Sequence, residues 1–147
     1  MLEEKGKPAA VVDLDWLGWL HLRSTTLTAD ELIARNLAAI WPNLCEAGMR
    51  YAVLARAMLG RDRMDALQAA VPEADLVVVR LTAAPSTIER RLRLRDAGQE
   101  LVDHLGESVA MSLVMDQAGL EDTSVANEDR SPSEVAREVL QRVGWLD

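Results

Sequence analysis

The amino-acid sequence predicts an α/β fold on a mostly parallel sheet, and three observations point to it. Four short apolar segments alternate with helical patterns along the chain, the order that builds a parallel sheet through helical crossovers. Those segments are apolar almost without interruption, which suits strands covered on both faces. The chain has 147 residues, 49% hydrophobic and 27% charged, enough for one domain with a sizeable core.

The first strand is expected over Ala9 to Asp15 (AAVVDLD), entered through Lys7-Pro8. Thr28-x-x-Glu31 has the form of a capping box and opens a helix running towards Gly48. Leu32, Leu37, Ile40, Trp41 and Leu44 fall on its core side, and Pro42 predicts a kink or break near Ala38 to Trp41. A second strand, Tyr51 to Ala57 (YAVLARA), follows the stop signal Ala47-Gly48. Arg61 to Ala70 is a short helix ended by Pro72, and Asp75 to Leu81 (DLVVVRL) is the strand with the most β-branched residues. Ser86-x-x-Glu89, just after Pro85, opens a helix through Arg95. Gln99 to Ala118 forms the next, with Val102, Leu105, Val109 and Leu113 on one stripe. Thr123 to Asn127 (TSVAN) is the fourth strand. Pro132 sits in the first turn of the last helix, which turns Val135, Val139, Leu140 and Val143 inward. No repeat, linker or low-complexity segment interrupts residues 1–147, so a single domain is expected.

Charge and composition exclude several roles. A net charge of −8, from 24 carboxylates against 16 basic residues, argues against a general nucleic-acid binder and against a basic membrane-surface helix. Cys45 has no second cysteine to pair with, and no Cys/His spacing points to zinc, so no metal site is expected. The sequence has no signal-peptide pattern and no apolar run of membrane-spanning length, which makes the cytoplasm the expected compartment.

Asp13 and Asp15 lie two residues apart at the end of the first strand, on one face if the strand continues through both. Open α/β sheets bind ligands at the carboxyl ends of their strands. A carboxylate there can orient a substrate hydroxyl or accept its proton. It can equally cap the following segment. Arg90, Arg91, Arg93 and Arg95 are a dense basic group that suits phosphate oxygens or, alternatively, pairs with Glu89, Asp96 and Glu100 along a solvated helix. Arg35 and Asn36 are polar candidates on the first long helix. Trp16, Trp19 and Trp41 suit a pocket wall or the core edge. His21 and His104 have no evident nucleophile or metal partner. Arg130, before Ser131-Pro132, is either a turn residue or a group facing a ligand.

Together, AAVVDLDWLGWL (Ala9 to Leu20), ARNLAAIWPN (Ala34 to Asn43), DLVVVRLTAAPSTIERRLRLR (Asp75 to Arg95) and SVANEDRSPSEVAREVLQRVGW (Ser124 to Trp145) resemble the P-loop kinase superfamily. The likeness is to small members such as adenylylsulfate kinase, gluconate kinase and chloramphenicol phosphotransferase. It implies a three-layer α/β/α architecture, ATP and Mg2+ as cofactors, and a small-molecule phosphate acceptor. It also implies Asp15 as the catalytic carboxylate, Asp13 and Arg35 on the acceptor, and Arg91, Arg95 and Arg130 on the nucleotide.

The motif G-x-x-x-x-G-K-[ST], whose amides and lysine cradle the phosphates, occurs nowhere in the chain. Met1 to Lys7 resembles the end of the helix that follows it, so the chain is expected to start after the family's first strand and phosphate loop. The resemblance puts that absent strand centrally, between the strands at Tyr51 and Asp75. The expectation is therefore a kinase-like domain with little or no phosphotransfer of its own. The alternative is a non-catalytic binding module, or one that dimerises through exposed sheet edges.

Overall fold

The computed structural model describes residues 1–19 and 26–147, which places His21 and Leu20 outside the described residues. The fold is mixed α/β. The described residues hold six helices and four strands, paired as two separate two-stranded parallel sheets. They divide into two compact units, Met1–Leu76 and Val77–Asp147.

In the first unit, β1 (Ala9–Asp13) pairs in parallel with β2 (Tyr51–Ala55), in register from Ala9 opposite Tyr51 to Asp13 opposite Ala55. Between them run α1 (Leu14–Leu17) and α2 (Ala29–Glu46), and α3 (Arg61–Ala70) follows β2. A parallel pair needs such a crossover to bring the second strand alongside the first. Leu14, Ile33, Leu37, Leu67, Ala70 and Val71 are buried together, with Val12, Leu54, Ile40 and Trp41 packed against them. The opposite face of the pair is open: Val11 is 76% exposed and Val53 37%. The expected covering of both strand faces does not hold here.

Helix α2 starts at the predicted capping box, with Thr28 and Glu31 each accepting from the other's backbone N–H. It then continues through Pro42 as one element, so the expected break is absent. Pro42 and Ala38 both lie on the exposed side, where water can take the carbonyl that proline leaves without a donor.

In the second unit, β3 (Val79–Thr82) pairs in parallel with β4 (Thr123–Ala126). The crossover is α4 (Pro85–Arg95) and α5 (Gly98–Ala118), and α6 (Pro132–Arg142) follows β4. Val125, Val135 and Leu140 are buried, as is Thr87. β3 begins four residues later than the sequence suggests, because only from Val79 does β4 supply ladder partners. The Val78 N–H is taken by the Asp122 carboxylate instead. Helix α4 starts with Pro85 as its first residue and no side-chain cap of its own, while Glu89 pairs with Arg93 one turn on. The predicted stripe of α5 is not a core stripe: Val102, Val109 and Leu113 are each more than half exposed, and α5 buries no residue. Arg80 holds α5 instead, through Asp116 at 2.7 Å and the Ser112 carbonyl at 3.3 Å. No helix among the described residues is long and apolar enough to cross a membrane.

Candidate functional site

The strand β1 stops at Asp13 because its side chain turns back to accept from the Asp15 N–H at 3.1 Å, capping α1. The two carboxylates therefore do not share a strand face. Asp13 is a helix cap, and Asp15 stands on the first turn of α1 with its side chain 68% exposed.

Helix α1 is seated on α2 by two contacts. Asn36 donates from Nδ2 to the Leu17 carbonyl at 2.7 Å, so this residue serves the fold. Gly18 lies so close to α2 that a Cβ there would come within 2.6 Å of the Ile33 side chain. With α1 fixed this way, Trp16 and Trp19 stack at 4.9 Å between ring centroids and 23° between planes, both largely exposed.

Arg56 follows immediately on β2 and is the residue that organises this end of the unit. Its side chain is only 11% exposed, and its guanidinium reaches Asp15 at 3.4 Å and the Asp30 carboxylate. Asp30, in the first turn of α2, also receives Arg63 from α3 at 2.8 Å. Asp15, Arg56, Asp30 and Arg63 thus form one chain of alternating charges at the carboxyl ends of two parallel strands, where α/β sheets bind ligands. Sequence reasoning missed Arg56, Asp30 and Arg63. The available signal was an arginine immediately after an apolar strand; the expected strand to Ala57 had absorbed it. Arg35 is exposed one turn beyond Glu31 and lowers that carboxyl electrostatically, after the larger effect of the Thr28 hydrogen bonds. It is not among the groups that reach Asp15.

The three arginines assigned to the nucleotide all fall in the second unit, and each is engaged by its own chain. Arg91 donates to the Asn127 carbonyl at 2.8 Å. Arg130 donates to the Ala126 and Glu134 carbonyls and to Glu138, the last at 2.6 Å. Arg95 pairs with Asp96 at 2.6 Å and approaches His104 Nδ1 at 3.3 Å. Arg90 reaches Asp129 at 3.0 Å. The start of α4 is taken as well, because Glu128 accepts from the Ala84 N–H and from the Thr87 hydroxyl. Those bonds, the Thr87 one first, hold the Glu128 carboxyl below its ordinary pKa. Arg130 and then Arg142 do the same for Glu138.

No protein-family model matches the chain, and no curated protein matches it. The site has to be judged on its own chemistry. The first unit offers an exposed carboxylate paired with a largely buried arginine side chain, and a separate exposed pair of stacked tryptophans. That set can accept a hydrogen bond from a hydroxyl and lie against the apolar face of a ring. The second unit offers arginines already satisfied by carboxylates and carbonyls, so an anion there would have to displace an existing partner.

Proposed function

We propose that the chain is a P-loop-kinase-like protein of three-layer α/β/α architecture that holds a hydroxyl-bearing small molecule at the carboxyl ends of β1 and β2. It has little or no phosphotransfer activity by itself. The observation that carries this reading is the pairing of exposed Asp15 with nearly buried Arg56 at the strand ends. Arg56 stabilises and orients the carboxylate; the carboxylate accepts from an acceptor hydroxyl; Trp16 and Trp19 receive the face of a ring. The strand pairing also supports kinship, since each unit holds one parallel pair joined by a helical crossover, β1 with β2 and β3 with β4.

ATP and Mg2+, implied by the same resemblance, do not fit the residues present. No G-x-x-x-x-G-K-[ST] occurs in the chain, and Arg91, Arg95 and Arg130 are satisfied internally. That internal satisfaction favours a second reading, a non-catalytic module that either binds a partner or dimerises through an open sheet edge.

The test is a titration with sugars and other polyhydroxy ring compounds, followed by tryptophan fluorescence, with and without MgATP. A binding compound is expected to lose at least tenfold in affinity on Asp15→Asn, with no ATP turnover. Equal binding by the unchanged chain, Asp15→Asn and Arg56→Ala puts the site elsewhere and sinks the reading. ATP turnover that disappears in Asp15→Asn overturns the claim of inactivity. Concentration-dependent dimerisation without ligand binding favours the second reading.

A further inference from the structure

Three potential metal ligands converge where α4 hands over to α5. Asp96 is the residue that ends α4, and Glu100 and His104 are four residues apart on the first turns of α5. Gly98, with φ +60, makes the turn that folds Asp96 back onto that face, a backbone conformation suited to glycine. His104 Nδ1 lies 2.8 Å from Asp96 Oδ2, and one ligand atom from each of the three residues falls within 4.8 Å of the others. We propose that Asp96, Glu100 and His104 bind a divalent transition-metal ion, with zinc the best match. The three stand at four-residue intervals in the sequence, a spacing that carries no metal signal until the turn at Gly98 brings Asp96 beside Glu100 and His104.

The chemistry fits that class of ion. One imidazole nitrogen and two carboxylate oxygens suit zinc, cobalt or manganese, whereas calcium asks for about six to eight oxygens. Bonds of roughly 2.0–2.2 Å place neighbouring donors about 3–3.5 Å apart. The Asp96–His104 pair is already near that spacing, and the third donor closes by a rotamer change at exposed Glu100. The Asp96 side chain is only 5% exposed, which fixes the first ligand in place.

The cluster already has a cation beside it. The Arg95 guanidinium makes hydrogen bonds of 2.6 and 2.9 Å to Asp96 and lies 3.3 Å from the His104 nitrogen. An incoming ion has to take over those atoms. Arg95 is the last residue of α4 and its side chain is 64% exposed, so it can turn into water when displaced. It is therefore a competitor, and its removal tightens metal binding.

The experiment is calorimetric titration of the full chain with zinc in a non-chelating buffer, repeated with cobalt by visible absorption. The expected result is one ion per chain. Affinity falls at least tenfold in His104→Ala and Glu100→Gln, rises severalfold in Arg95→Ala, and is unchanged in Glu107→Gln. Circular dichroism confirms that each variant is folded. If neither the unchanged chain nor Arg95→Ala binds saturably, the proposal fails. Equal affinity in His104→Ala, or in Glu107→Gln and Glu100→Gln alike, reduces the effect to general attraction by acidic groups and also overturns it. Should His104→Ala not fold, the cobalt spectrum of the unchanged chain decides, since a spectrum identical to hexa-aqua cobalt excludes nitrogen ligation.

Discussion

The two units of this chain are held together by different means. Met1–Leu76 has a contiguous apolar cluster in which Leu14, Leu37 and Val71 are essentially inaccessible. Val77–Asp147 buries few apolar side chains, and its longest helix buries none. Its elements are tied by hydrogen-bonded side chains: Arg80 to α5, Glu128 to the start of α4, Arg91 to the loop after β4, Arg130 to α6. Apolar burial offers no charge for salt to screen or pH to titrate, whereas exposed ion pairs are screened and titrate. One chain thus contains a part governed by packing and a part governed by charge.

The largest test of that contrast is Leu37→Ala, which empties a fully buried position of the first unit. It should cost about 2–5 kcal/mol in chemical denaturation. Hydrogen-exchange protection should fall in peptides from α2 and α3; equal loss in α6 would mean that the units unfold as one. Gly18→Ala comes next, since its methyl would overlap Ile33. Overpacking of this kind costs about 1–3 kcal/mol, and here it should also weaken ligand binding at Asp15 by unseating α1.

Acid sharpens the comparison in the other direction. Asp96, Glu128, Glu134 and Glu138 in the second unit all have lowered pKa values, against Glu31 in the first. A carboxyl lowered in the folded state stabilises that state while it is charged. The contribution is full above the ordinary values of 3.8 and 4.5 and is lost as pH falls through the folded values, to about 2 for Asp96. Exchange protection of α4 and α6 should therefore fall between roughly pH 4.5 and 2 before that of α2. The smallest effects are expected at the helix caps: Thr28→Ala and Ser131→Ala each remove one side of a capping box. Each should cost about 1 kcal/mol, with the loss confined to its own unit.

Much of the fold was legible because its signals are local. Thr28 and Glu31 announce the start of α2 within four residues, and Arg61 to Ala70 matches α3 end to end. Val135 and Leu140 face inward on α6 as their spacing suggests. The candidate site was less legible because its defining contacts are not local. Arg56 meets Asp15 and Asp30 across the chain, and nothing in the run YAVLARA says where the ladder ends. Asp13 looked like half of a catalytic pair, yet a short side chain at a strand end satisfies the next helix first. The stripe on α5 misled for a related reason: periodicity shows that a helix has an apolar side, but not that a partner lies against it.

The alternating ion-pair chain at the strand ends has a further consequence for how the ligand proposed there would reach it. Asp15, Arg56, Asp30 and Arg63 sum to no charge, within a protein whose net charge is −8. Such a patch exerts no long-range pull, while the molecule as a whole repels anions. Discrimination therefore begins in solution, at the stage of diffusional encounter. The arrival rate of an uncharged compound should be flat with ionic strength, and that of an anionic one should climb as added salt mutes the repulsion.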